Sequence, residues 1–137
     1  MEVPGFAMDD TEYRVLIIDD ELSLLKSLAA FFEDEGFFVR GAASGEEGLE
    51  ILHTEKMDVV IIDLRLPGID GNETIVRAHE LQPALRFLIH TGSTDYQIPL
   101  PLRHIGIEQE AIFLKPLPDL SVLSRAVRNL FRQPKAG

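Results

Sequence analysis

The spacing of apolar residues changes repeatedly along the chain. Four runs, Val15–Ile18, Val59–Ile62, Phe87–Ile89 and Ile112–Leu114, are apolar at consecutive positions, so neither face of the strands they form is reserved for water. Phe38-Val39, ahead of Arg40 and Gly41, is a shorter run and reads as an edge strand. Between the runs the period lengthens. Leu25, Leu28 and Phe32 lie three and four apart, with Gly36 as the stop of a first helix. Ser44-Gly45-Glu46-Glu47 has the form of a capping box ahead of Leu49 and Leu52, in which Ser44 accepts from the Glu47 backbone and Glu47 reaches back. Gly71 to Leu81, with Ile75 and Ala78 in phase and Pro83 beyond, gives a third helix. Asp119 caps a last one through Leu120, Leu123, Val127 and Leu130 to about Phe131. Strand alternating with helix predicts an α/β fold, an open parallel sheet with helices on both faces.

One stretch breaks the regularity. Proline lacks an amide hydrogen and clashes with the preceding turn, so Pro99 and Pro101 cannot both lie inside a regular fourth helix. The reading that keeps a helix here shortens it, with Pro101 at its first position, a stop at Gly106, and Tyr96 to Leu100 as an extended loop.

The chain of 137 residues suits one domain, with a core over about 13–132 and loose ends at 1–11 and 133–137. A formal charge of -10 repels nucleic acid phosphates and anionic lipid alike, which argues against direct nucleic acid binding or membrane attachment. No apolar run is long enough to span a bilayer. The absence of cysteine removes disulfides, thiolate nucleophiles and zinc ribbons, and with the acidic, non-signal start from Met1 it fits a reducing, cytoplasmic setting.

In an open α/β sheet the ligand site lies beyond the carboxyl ends of the strands. The residues there are Asp19-Asp20-Glu21 after the first strand, Asp63 after the third, Thr91 after the fourth and Lys115 after the fifth. Three carboxylates brought together resist joint ionisation unless a cation joins them, and oxygen-only ligands suit Mg²⁺. A carboxylate in that setting can also be the nucleophile that receives a phosphoryl group. Lys115, Thr91 and the backbone of Gly92 can then serve the charge spread over the phosphoryl oxygens. Each residue alone has an ordinary explanation: Asp20 as a helix cap, Asp63 as a turn starter before Pro67-Gly68, Thr91 in a local turn, Lys115 in solvent. Their convergence on one sheet edge favours the chemical reading.

With "VLIIDDE", "DVVIIDLRLPGIDG", "LIHTGS" and "FLKPL" in order, the chain from about Arg14 to Phe131 resembles the receiver domains of response regulators in two-component signalling, of the chemotaxis-receiver type. The resemblance implies a flavodoxin-like five-stranded parallel sheet of order 2-1-3-4-5. It implies Asp63 as phosphoacceptor, Asp20 as direct Mg²⁺ ligand, Asp19 acting on the metal through water, and the Arg65 carbonyl completing the ligands. Thr91 is similar to the switch hydroxyl and Lys115 to its paired cation, both acting in the phosphotransfer chemistry at Asp63. The Lys115-Pro116 bond resembles the cis peptide of the family. Leu66-Pro67-Gly68 then shapes the loop after the acceptor, and Arg65 and Ser93 flank the path of attacking water. The implied function is a switch that takes its phosphoryl group from a histidine kinase or phosphotransfer protein and changes its affinity for an output protein.

Two positions depart from that pattern. Ile112 stands where the family usually has an aromatic reporter, and the proline-bearing segment replaces a regular fourth helix. An aspartyl-phosphate phosphatase is the competing class. It is disfavoured because Arg65, not a carboxylate, lies two residues after Asp63. A receiver-like module that no longer accepts phosphate is weakened because every chemical position is filled. His53, His79, His90 and His104 show no metal-ligand spacing and read as structural or solvated. Asn72-Glu73-Thr74 has the form of a glycosylation acceptor, but nothing routes the chain to a secretory compartment.

Overall fold

A computed structural model describes residues 13–132. The terminal segments expected to be loose, 1–11 and 133–137, lie outside the described residues. Strands β1 (Arg14–Ile18), β2 (Phe38–Ala42), β3 (Val59–Ile62), β4 (Arg86–Thr91) and β5 (Ile112–Leu114) alternate with helices α1 (Leu22–Asp34), α2 (Gly45–Thr54), α3 (Gly71–Leu81), α4 (Leu100–Ile105) and α5 (Ser121–Arg132). The sheet is parallel throughout, in the order β2-β1-β3-β4-β5. This is the flavodoxin-like arrangement anticipated above.

Three of the four consecutive apolar runs, in β1, β3 and β4, are buried on both faces, whereas in β5 Ile112 and Phe113 are half-buried and Leu114 is exposed, because an edge strand this short is covered only in part. Leu16, Ile18, Val60, Ile62, Phe87 and Ile89 join a core with Leu52, Ile75 and Ala78 from α2 and α3. The alternate residues Val15, Ile17, Val59, Ile61 and Leu88 join a second core with Leu28, Phe32, Leu123 and Val127 from α1 and α5. That division is what the two-residue period of a strand dictates.

Helix ends follow the sequence closely. At the end of α1 the Gly36 amide donates to Glu33 and the Phe37 amide to Phe32, with Gly36 at φ 100°. Phe37 folds back onto Phe32, with ring centroids 5.2 Å apart, which completes the apolar contact of a Schellman stop. Ser44 accepts from the Glu47 amide at 3.1 Å, but Glu47 reaches one residue further back than a capping box requires, accepting from Ala43 at 2.8 Å.

Other boundaries differ from the reading above. β2 continues through Gly41 to Ala42, where a side chain at Gly41 would sit 3.3 Å from Leu25. α5 starts at Ser121 instead of Leu120, with Asp119 accepting from the Ser121 amide at 2.9 Å. α4 is short, as the prolines require, but it begins at Leu100, so the extended stretch ends at Pro99 and Pro101 occupies the second helical position. The first turn needs no amide donors of its own, so the second position accommodates proline as readily as the first.

Candidate functional site

Backbone ladders carry the acidic residues to one edge. The Asp19 amide donates to Ala42 and the Asp63 amide to Ile18, so each carboxylate is anchored one step past its strand. Carboxylate oxygens of Asp19, Asp20 and Asp63 all lie within 4.8 Å of one another. Asp19 and Asp63 are buried, at 2% and 7% exposure, while Asp20 faces solvent.

Lys115 enters from the end of β5. Its amide donates to the Thr91 carbonyl at 2.8 Å, and its peptide bond to Pro116 is cis. The ammonium lies 2.8 Å from Asp63 Oδ2, 3.0 Å from Asp19 Oδ2 and 2.8 Å from Glu21 Oε1. Burial works against the charge on Lys115, yet its bonds to Asp63, Glu21 and Asp19 outweigh that and raise its pKa. Burial is also the largest influence on Asp19, whose pKa is raised despite bonds from the Glu21 amide and Lys115. The remaining Asp19 oxygen accepts from Glu21 at 2.9 Å, and Asp63 Oδ1 accepts from the Arg65 amide at 3.3 Å.

Thr91 is fully buried at the end of β4, paired with Leu114 of β5, and its Oγ1 accepts from the Ser93 amide at 3.3 Å. Ser93 is half-buried, the Arg65 side chain is exposed, and Ile112 packs half-buried against the α2–α3 core. The loop after Asp63 is fixed by Gly71, whose amide donates to Leu64 at 2.9 Å. A side chain at Gly71 would come within 2.6 Å of the Asp63 carbonyl, so the close approach of α3 to this loop requires glycine. Glu46 accepts from the Ile69 amide at 3.0 Å, and this bond lowers the Glu46 pKa.

Two residues at the site were not assigned a part by the sequence reading. Glu21 looked like the next acid in a run, and its reach to Lys115 depends on the turn between β1 and α1. His90 is 2% exposed, and neither ring nitrogen has a hydrogen-bond partner among the described residues. Burial, then the nearby Lys115 charge, lowers its pKa to about 4. Its place beside Thr91 in a strand covered on both faces was the available signal.

The site can hold a hard cation against three carboxylates and present one of them, with an ammonium alongside, to an electrophile. Comparison with known proteins places the chain in a family. The family model described as the response regulator receiver domain matches residues 15–128. Sporulation initiation phosphotransferase F of Bacillus subtilis is 29% identical over 115 residues, covering 84% of this chain and 90% of that one. The transcriptional regulatory protein GlrR of Escherichia coli is 40% identical over 79 residues, covering 58% of this chain but 18% of that protein. Such regulators are therefore far longer than the segment matched. A CheY-like receiver domain protein from Methanospirillum hungatei superposes with a TM-score of 0.79 at 28% identity, covering 88% of this chain and 94% of that one. A CheX-CheY-BeF3-Mg complex from Borrelia burgdorferi gives 0.76 at 25% identity, covering 93% and 94%. No helix among the described residues is long and apolar enough to cross a membrane. The chain belongs to the response-regulator receiver domain family, the phosphorylation-dependent signalling switches of two-component systems.

Proposed function

We propose that Asp63 accepts a phosphoryl group from the phosphohistidine of a histidine kinase or phosphotransfer protein in the cytoplasm, and that the resulting change in this one domain alters its affinity for an output protein. The observation that carries the reading is the Lys115 ammonium bridging Asp63 and Asp19 inside a cluster of three carboxylates. In the transfer, a carboxylate oxygen of Asp63 bonds to phosphorus as the phosphorus–nitrogen bond breaks, and the departing imidazole keeps the bonding pair. Lys115, already beside Asp63, is placed to meet a phosphoryl oxygen. Thr91 uses a lone pair toward Ser93, which leaves its hydroxyl hydrogen available for another.

The donor set fits Mg²⁺, because it is all oxygen, carries excess negative charge and keeps one member, Asp20, open to solvent. Asp20, Asp63 and the Arg65 carbonyl would hold the ion, with Asp19 acting through water. When bound, Mg²⁺ offsets the mutual repulsion of the carboxylates and the charge of the incoming phosphoryl group. Hydrolysis of the aspartyl phosphate falls to the same pocket, with Arg65 and Ser93, two residues beyond Asp63 and Thr91, setting its pace. The exposed Arg65 offers no carboxylate for the turnover a phosphatase needs.

Incubation with acetyl phosphate and Mg²⁺ is expected to add one phosphoryl group by intact mass, and Asp63→Asn to abolish it. Undiminished labelling of the Asn variant would remove Asp63 from the role.

A further inference from the structure

The loop after Thr91 is joined directly to the first turn of α3, the helix that packs against the loop after Asp63. On one side, Gly71 is held against the loop after Asp63 by its amide bond to Leu64 and by a backbone approach with no room for a side chain. The next residue, Asn72, is half-buried in the first turn of α3. On the other side, the chain leaves Thr91 through Gly92, Ser93, Thr94 and Asp95, of which Ser93 is half-buried and the others are exposed. It then turns inward at Tyr96 and Ile98 before reaching α4. The Tyr96 hydroxyl donates to Asn72 Oδ1 at 2.6 Å.

Three features make this bond more than a surface contact. The Tyr96 ring packs half-buried against the α2–α3 core, so its hydroxyl has a fixed direction. Pro99, with φ -65°, and Pro101 stiffen the chain just beyond, so a displacement at Tyr96 passes to α4 and is not absorbed by the loop. Burial, then the charge of Asp70, also pushes the Tyr96 pKa up to about 12, which keeps the phenol a donor at any working pH. Ile112, half-buried on β5, has no ring with which to report the state of the site.

We propose that the Tyr96–Asn72 bond is a clasp that holds the Thr91 loop in its resting place against α3, and that Tyr96 is the positioning residue whose release accompanies phosphorylation. The inference rests on the reading of Asp63 as the acceptor. Thr91 is tied back to Ser93 in this arrangement, so a Thr91 hydroxyl that moves toward a phosphoryl group pulls on the segment that the clasp secures. Opening the clasp beforehand removes part of that cost. A neutral hydrogen bond contributes on the order of 1 kcal/mol, so its loss corresponds to roughly three- to five-fold faster phosphorylation by a small donor.

The experiment compares the full chain with Tyr96→Phe, Asn72→Ala and the double variant. With acetyl phosphate and Mg²⁺, followed by intact mass, each single variant is expected to gain the phosphoryl group several-fold faster, and the double variant no faster than either single one. Without any donor, amide exchange over residues 92–99 is expected to speed up in all three. The chain has no tryptophan and two tyrosines, so in a Tyr13→Phe background tyrosine fluorescence reports Tyr96 alone and is expected to change as Asp63 is phosphorylated. Unchanged rates in variants that do become phosphorylated, or rate effects that add in the double variant, would overturn the clasp. So would unaltered exchange over 92–99. A parent chain that takes no phosphoryl group instead defeats the reading of Asp63, and the exchange comparison then decides the clasp by itself.

Discussion

Around Asp63 almost every step of the chain is fixed, whereas between Thr91 and Ile112 the chain is held at a few points. In the first region strand ladders deliver Asp19 and Asp63, Gly71 clamps the following loop, Glu46 holds Ile69, and Lys115 ties three acids together. In the second, a six-residue helix stands between a partly exposed loop and a 3-10 turn at Gln109–Ala111. Its anchors are Ile98, Leu102 and Ile107 in the core, the Tyr96 clasp, and Arg103, which donates to the Ile98 carbonyl at 3.2 Å. On the proposed function, the contrast separates two tasks. Chemistry at a phosphoryl group demands side chains at fixed separations, while the part that communicates the result must be able to move at small cost.

The contrast predicts that the largest single loss lies in the charged pocket. Lys115→Met keeps the length of the side chain and removes the cation between two buried carboxylates. We expect it to destabilise the ion-free protein by about 3 kcal/mol in denaturant unfolding, because it leaves buried charge unpaired. Added Mg²⁺ should then stabilise the variant more than the parent, since Lys115 no longer competes for Asp63. A variant as stable as the parent without divalent ions would show that the pocket is less rigid than its bond network implies.

Next in size is a pH effect at His90, which lies within electrostatic reach of Lys115, Asp63 and Glu21. The imidazole of the unfolded chain takes up its proton near pH 6.5, while the folded one resists protonation until about pH 4. Between those values the unfolded state binds the extra proton, so stability rises with pH across the window and falls by up to about 3 kcal/mol on acidification. His90→Leu should remove that share of the slope in urea titrations at stepped pH, leaving the carboxylate contribution. Identical slopes for parent and variant would mean that His90 reaches water or a partner when protonated.

These regions were also unequally legible in the sequence. Consecutive apolar runs revealed the doubly covered strands, and the residues just past them revealed the acidic cluster, because both follow from local order along the chain. The prolines likewise foretold a short α4, since their cost inside a helix is a property of proline itself. What escaped depended on distance. The reach of Glu21 to Lys115 spans 94 positions, and Tyr96 meets Asn72 across 24. Neither pairing leaves a period or spacing to read. Gly41 marked the end of the apolar run Phe38-Val39, yet β2 continues through it because the ladder to Ile17 holds the backbone where no side chain does. Leu100 entered α4 because a helical first turn does not depend on where proline stands within it.

The smallest effect tests the looser region by itself. Gly106 ends α4 at φ 106°, where its amide bonds to Arg103 and the amide of buried Ile107 bonds to Leu102. Gly36 ends α1 in the same way at φ 100°, and a side chain added at either glycine meets nothing within 4 Å. Alanine at each position therefore introduces the same backbone strain, about 1 kcal/mol, with no steric difference to confuse the comparison. The consequences should differ. α1 has 13 residues and contributes Leu28 and Phe32 to the core, so strain at Gly36 is expected to lower the stability of the whole fold and the unfolding midpoint with it. α4 is short and lightly anchored, so strain at Gly106 should be relieved by local opening, with faster amide exchange over 100–107 and a midpoint close to that of the parent. Equal midpoint losses for Gly36→Ala and Gly106→Ala would show that α4 unfolds together with the rest, and the distinction between a fixed chemical half and a yielding signalling half would fail.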